Sequence, residues 1–186
     1  YGEGSSIMQE RSYAFAMKSQ MWLIDPRPNL TSIVDMVEKG FLLSEASNTP
    51  VFYMMRIRGC HVTGEFVARD NRAPSYNKSS PVVPRREPDK IILPPFVFKQ
   101  EHEKVSDRLP AALEFIHNNQ LNEIFPGRYD SLGIITCGGS YNTVIRALQR
   151  QGLADVYGDT DVPIYCLNVT YPIVPNELAD FCLGKE

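Results

Sequence analysis

The chain has 186 residues, 43% of them apolar and 22% charged, with 19 Lys and Arg against 22 Asp and Glu for a formal charge of −3. That is the composition of one or two ordinary globular domains, and it excludes a disordered chain, a fibre and a coiled coil. No apolar run approaches the ~20 residues of a membrane-spanning helix, and the weak acidity offers no basic face to nucleic acid or anionic lipid.

Residues 1–72 read as α-β-α-β. Ser5 or Ser6 caps a first helix that runs to about Lys18. Met21–Ile24 is a short apolar strand, ended by Asp25-Pro26. Asn29 then caps a helix with Leu30, Ile33, Val34, Val37 and Phe41 in one stripe, the clearest helical period in the chain. Asn48-Thr-Pro breaks that helix, and Val51–Ile57 follows as a buried strand. Strands joined by helices imply a parallel sheet. Two strands are too few to stand alone, so this segment reads as the tail of a larger α/β domain.

Six of the 14 prolines fall between Pro74 and Pro95. Proline removes a donor and holds its predecessor extended, so residues 73–100 read as a linker with neither helix nor central strand. The apolar Val82, Val83, Ile91, Ile92 and Leu93 suit an ordered strap that docks on its neighbour. Residues 101–186 then read as α-β-α-β-α, a small doubly wound domain. Its elements are a helix at about Ser106–Asn119, a strand at Leu132–Thr136, a helix from Tyr141 to near Gly152, a strand at Val162–Asn168 and a last helix at Pro175–Leu183.

The cysteines, Cys60, Cys137, Cys166 and Cys182, include no Cys-x-x-Cys pair, which argues against zinc ribbons and iron–sulfur sites. With no secretory segment in view, all four read as reduced core or subsurface thiols of a cytoplasmic protein.

Three segments carry candidate chemistry. Gly138-Gly-Ser-Tyr joins a strand to a helix, where free N–H groups can hold an anion and Gly138 and Gly139 admit close backbone approach. Ser140 is placed to cap that helix. The pattern is neither G-x-G-x-x-G nor a P-loop, and a plain connecting turn accounts for the same residues. Ser5, Ser6 and Gln9 can face a substrate, or Ser6 and Gln9 can simply form a capping box. Arg56 and Arg58 stand two apart at the end of a strand, with His61 beyond, and can bind a carboxylate or phosphate or else pair with nearby acids. His102 and His117 are isolated and take no role. No residues are assigned as catalytic or as metal ligands.

Several of these segments resemble one family. They are Gly2-Glu-Gly-Ser-Ser-Ile-Met-Gln-Glu-Arg-Ser-Tyr-Ala, Trp22-Leu-Ile-Asp-Pro, Leu43-Ser-Glu-Ala-Ser-Asn-Thr-Pro-Val, Leu132-Gly-Ile-Ile-Thr-Cys-Gly-Gly-Ser-Tyr-Asn-Thr and Leu167-Asn-Val-Thr-Tyr-Pro-Ile-Val-Pro. In order and spacing they resemble the thiamine diphosphate-dependent 2-oxoacid ferredoxin oxidoreductases, and among them the indolepyruvate ferredoxin oxidoreductases (large alpha subunit or fused form). Ser5 and Ser6 match the two serines of the family's pyrimidine-domain loop. Ile7, Met8 and Arg11 depart from it, which points to a different 2-oxoacid preference.

The resemblance implies an internal fragment of an α/β enzyme. Residues 1–72 would be the C-terminal part of a pyrimidine-binding (thiamine diphosphate-fold) domain, 73–100 the Pro-rich linker and 101–186 a transketolase C-terminal-like domain cut near its end. The glutamate that activates the cofactor would lie upstream of Tyr1. The Mg²⁺–diphosphate motif and the iron–sulfur cysteines would lie elsewhere in the complex. The fragment alone would then hold no cofactor and be inactive. The parent would oxidatively decarboxylate an aryl 2-oxoacid to an acyl-CoA with ferredoxin as acceptor, in a homodimeric or heteromeric assembly. Gly138, Gly139 and Ser140 would organise the second domain, close to CoA. Two rival readings are a non-catalytic interaction or dimerisation module, and a small flavodoxin-like nucleotide binder using the Gly138 turn.

Overall fold

The computed structural model describes residues 11–70 and 87–185. The expected helix start at Ser5 or Ser6, and most of the Pro-rich stretch, lie outside them. Helix α1 spans Ser12–Ser19, strand β1 Trp22–Ile24, helix α2 Leu30–Ser47, strand β2 Val51–Tyr53 and a short helix α3 Ile57–Cys60. After the Pro-rich stretch come α4 (Phe96–Glu103), α5 (Leu109–Asn118), β3 (Glu123–Phe125), β4 (Ile134–Cys137), α6 (Tyr141–Arg150), β5 (Ile164–Leu167), β6 (Val169–Tyr171) and α7 (Pro175–Cys182). Among the described residues, no helix is long and apolar enough to cross a membrane.

The architecture is α/β, with two three-stranded sheets of order β2-β1-β6 and β3-β5-β4. The expected parallel pairing holds for β1 with β2 and for β4 with β5. The sheets as a whole are mixed, because β6 runs antiparallel to β1 and β3 antiparallel to β5. The first of these pairings follows from the crossing at Asn168. The chain leaves β5, passes that one residue and goes straight on as β6, so it runs against β1 in the other sheet. The pattern of residues 101–186 suggested one strand here, ending at Asn168, and missed both β6 and β3.

Alternation along each strand clothes both sheet faces with helices. Trp22 and Ile24 of β1 pack with Met36 and Leu43 of α2, Ala112 and Ile116 of α5, and Val169. Leu23 turns the other way, towards Ala16 of α1 and Met54. In the second sheet Ile164 and Cys166 pack on Tyr141, Ile145 and Leu148 of α6, while Tyr165 and Leu167 pack on Phe181 of α7. The first core therefore draws on residues from both sides of the Pro-rich stretch, and so does the first sheet.

Four further expectations are corrected. The core row of α2 is Ile33, Met36, Gly40, Leu43 and Ser47, whereas Val37 and Phe41 of the apolar stripe are 44% and 74% exposed. The packed row includes a glycine and a serine, so a count of apolar residues turns the helix towards the wrong face. Gly40 is there because a Cβ would sit 3.3 Å from the Ile24 Cδ1, and Ser47 accepts the Trp22 indole N–H at 2.7 Å. Next, β2 stops at Tyr53 rather than at Ile57. Among the described residues its one partner, β1, is three residues long, and the ladder runs out after the Met54 N–H bonds the Ile24 carbonyl.

Third, helix begins at Phe96, inside the stretch expected to be linker, and runs through a π turn at Lys104–Arg108 into α5. Pro110 lies in the first turn of α5, with helix already running ahead of it. A helical proline clashes with the carbonyl four residues back, here Ser106, and the wider π turn falls on that position. Fourth, Cys60 and Cys182 are exposed rather than core residues, although all four thiols are free. Asn29 does cap α2, accepting from the Ser32 N–H at 3.3 Å.

Truncating Leu43 to Ala leaves a void where α2 meets β1 and α5. We expect a loss of about 2–5 kcal/mol in urea unfolding. Because the core is shared, signals from both sides of the Pro-rich stretch should move together in one transition.

Candidate functional site

Ligands of α/β sheets gather beyond the carboxyl ends of strands. Here the ends of β1, β4 and β5 converge. Asp25 follows β1, Gly138 follows β4 and Asn168 follows β5. The Asp25 N–H donates to the Asn168 carbonyl at 2.8 Å. The fully buried Asn168 side chain accepts from the Arg27 N–H at 2.8 Å and donates to the Leu121 carbonyl at 2.9 Å and to Glu123 at 3.0 Å. Arg27 in turn grips Glu123 through Nε and Nη2, both at 2.9 Å, with its guanidinium 5.3 Å from the ring centres of Phe125 and Tyr141. The Asn168 side chain thus ties the exit of β5 to the segment after β1 and to the start of β3.

The Gly138 turn lies on this junction. Residues Gly138–Ser140 form one 3₁₀ turn ahead of α6. Ser140 makes no side-chain cap bond, contrary to expectation, because its backbone has already entered the helical region. A Cβ on Gly138 would fall inside 3.0 Å of the Asp25 carbonyl, the Arg27 N–H and Asn168 Oδ1. One on Gly139 would run into the Arg56 side chain and the Asp25 carboxylate. The close approach that the two glycines permit is therefore an approach of the chain to itself.

Arg56 fills the remaining space. Its Nη2 lies 2.7 Å from Asp25 Oδ2, and its Nε lies 3.0 Å from Oδ1. Asp25 is buried, and burial raises its carboxyl above the usual range, opposed by Arg56 and by the Gly139 N–H. Of the two arginines expected to share a strand face, Arg56 lies before α3 and Arg58 within it. Arg58 is exposed and bonds Thr143 Oγ1 at 3.2 Å, and His61 closes α3 at the surface. Ser5, Ser6 and Gln9 lie outside the described residues. The structure thus brings Gly138, Gly139 and Arg56 together on one ion pair.

Sequence reasoning missed Asp25, Arg27, Glu123 and Asn168. The available signal is a carboxylate, Asp25, directly after the fully apolar Trp22–Ile24. Glu123 shows the same logic of satisfied charge. Burial alone would raise its carboxyl, but the bonds from Arg27 and Asn168 outweigh burial and leave it lowered. Cys166, beneath the junction, is pushed up to about 12 by burial and is no nucleophile at neutral pH.

No family profile and no solved structure matches the chain. Two curated proteins do, along nearly its full length. One is the indolepyruvate oxidoreductase subunit IorA of Methanothermobacter marburgensis, 28% identical over 183 residues. The other is its namesake from Methanothermobacter thermautotrophicus, 26% identical over 184. The chain is a sequence relative of indolepyruvate oxidoreductase subunit IorA. The match covers 98% of this chain, and the chain spans 28% of the length of each relative.

Thiamine diphosphate and Mg²⁺ are what the resemblance implies, so the described residues can be tested for a place to hold them. No group of three or more His, Cys, Asp or Glu among them can hold a metal ion. The Gly139 N–H is taken by the Asp25 carboxylate. A Cβ at either glycine would collide with Asp25, Arg27, Arg56 or Asn168, so the turn is packed against its own chain. Among the described residues, the Gly138 turn leaves no room for the diphosphate.

Two substitutions test the junction. Gly139→Ala forces its new methyl group into Arg56 and Asp25, and should cost about 1–3 kcal/mol or more by thermal or urea unfolding. Arg56→Met leaves the Asp25 carboxylate buried without its cation, and should cost about 3–5 kcal/mol at neutral pH. That cost depends on pH with a definite sign. The variant's folded state holds the Asp25 proton to a higher pH than its unfolded state does. Its stability relative to the parent should therefore fall as pH rises from about 4. Unfolding titrations at several pH values check this, and a difference that widens towards acid would contradict it.

Proposed function

We propose that this chain forms part of a 2-oxoacid oxidoreductase that oxidatively decarboxylates an aryl 2-oxoacid of the indolepyruvate kind. The observation that carries the reading is the similarity to two IorA subunits over 98% of the chain. In this reading the 2-oxoacid and CoA become an acyl-CoA and CO₂, and the electron pair released passes to ferredoxin. Thiamine diphosphate with Mg²⁺, and an iron–sulfur cluster elsewhere in the complex, belong to the longer protein and its partner subunits in the cytoplasm. Residues 1–72 take the place of a pyrimidine-binding domain's C-terminal part, and residues 101–186 that of a transketolase C-terminal-like domain. The described residues contribute rigidity, locking the strand exits of both sheets through Asp25, Arg56 and Asn168.

One observation favours a complementary role in assembly. Val37 and the 74%-exposed Phe41 of α2 border an apolar hollow of about 450 Å³ whose other wall is Val51 and Tyr53 of the edge strand β2. That surface supports an interface with the rest of a homodimeric or heteromeric enzyme. The flavodoxin-like reading loses its support, because the Gly138 turn is filled by the chain's own side chains.

The test is turnover by the full-length protein containing this chain, given thiamine diphosphate, Mg²⁺, CoA and a ferredoxin-like acceptor. Indolepyruvate and phenylpyruvate should exceed pyruvate in kcat/KM by about tenfold or more. The 186-residue chain assayed alone should show no turnover. A preference for pyruvate would refute the aryl assignment, and activity of the isolated chain would refute the division of labour.

A further inference from the structure

The far end of the first sheet holds a second feature. Where β1 and β2 begin and β6 ends, the surface opens into a cavity of about 320 Å³. Its floor is the half-buried Tyr171, with Trp22, 3% exposed, directly beside it. Trp22 and Tyr171 meet with ring centres 5.9 Å apart and planes tilted by 47°. The Trp22 indole is held by its bond to Ser47, which itself donates to the Leu43 carbonyl at 2.6 Å.

The wall opposite is the π turn between α4 and α5. A π turn is uncommon, and such turns concentrate at functional sites. This one brings Lys104 and Arg108 to the cavity with Val105 and Leu109 beside them. Each cation is anchored by a neighbouring acid. Lys104 bonds Glu101 at 2.7 Å, and Arg108 bonds Glu103 through Nε at 3.2 Å and Nη2 at 2.9 Å. Those bonds use only part of the donor sets, since Arg carries five N–H groups and Lys three. Among the described residues, no acidic side chain lines the cavity itself. Two cations with donors to spare therefore stand beside an aromatic floor.

We propose that this cavity binds a small monocarboxylate with a flat apolar body, its carboxylate on Arg108 and Lys104 and its body on Tyr171 beside Trp22. The planar Arg fork matches a carboxylate, and an apolar floor favours a singly charged acid over the more heavily hydrated phosphate. The volume lies at the small end of ligand sites, which limits the body to about one ring system. The proposal does not rest on the oxidoreductase reading, because the cavity lies at the opposite end of the sheet from the Gly138 turn.

Trp22 is the single tryptophan of the chain, so its indole N–H resonance and its emission report on the cavity floor. Titrating the 186-residue chain with phenylacetate should shift both in a saturable way. Phenylacetamide, of the same shape without the charge, should bind roughly tenfold more weakly or worse. Arg108→Ala should weaken phenylacetate by a similar factor. Val105→Glu supplies a second variant should Arg108→Ala disturb the fold. Val105 is 67% exposed, so a glutamate there adds a repelling charge to the rim. That variant should weaken binding while leaving the ligand-free indole signal in place. Absence of a saturable shift, or equal binding of the acid and the amide, would overturn the proposal. So would a Val105→Glu variant that binds as the parent does. Competition by inorganic phosphate as effective as phenylacetate would overturn the assignment to a carboxylate.

Discussion

Asn168 is the joint on which both sheets depend. A strand that ends one sheet and begins another must pass its backbone polar groups across a gap where no ladder exists, and buried groups left unpaired are costly. Asn168 closes most of the gap, and Asn122 Oδ1 takes the Val169 N–H at 3.0 Å. The Asn168 carbonyl takes the Asp25 N–H, its side-chain oxygen takes the Arg27 N–H, and its amide group reaches Leu121 and Glu123. With that residue in place β5 and β6 form one nearly continuous track, and the exits of β1 and β4 are brought against it. No apolar residue of similar size supplies both donors and acceptors at one point.

The ion pair of Asp25 with Arg56 is a consequence of that convergence. Three strand exits meeting in a small space leave a carboxylate buried, and a buried carboxylate demands a cation or a proton. Arg56 answers from beyond β2, and the two glycines after β4 vacate the room that it needs. The same principle governs Glu123 with Arg27, where the guanidinium also rests near two aromatic rings. Charge is thus used at the strand ends as internal bracing. Among the described residues no buried side-chain polar atom is left without a partner.

The two ends of the first sheet differ in kind. At the strand exits of β1 and β2, polar groups are matched and space is filled. At their starts, the floor is aromatic, the cations keep donors to spare and space remains. The π turn explains part of this contrast. It widens the helical run beside Pro110, and the widened turn carries Lys104 and Arg108 to the cavity. A local answer to a proline and a distinctive surface feature therefore share one stretch of chain.

Local chemistry alone determined much of this protein. Apolar runs marked β1, β4 and β5, Asn29 marked the start of α2, Pro175 the start of α7, and ordered segments carried the resemblance to the 2-oxoacid oxidoreductases. These follow from propensity, capping and motif order, which act over a few residues. Only tertiary structure decided which face of α2 is buried, since Gly40 and Ser47 pack there for reasons of close approach and hydrogen bonding that an apolar count does not register. It alone decided that β6 would join β1, a pairing across roughly the whole chain that no local pattern encodes. It also decided what the Gly138 turn and Arg56 face. A glycine pair and an arginine suit an anion or an internal carboxylate equally well, and the choice fell to Asp25 because folding brings the exits of β1 and β4 to the same place.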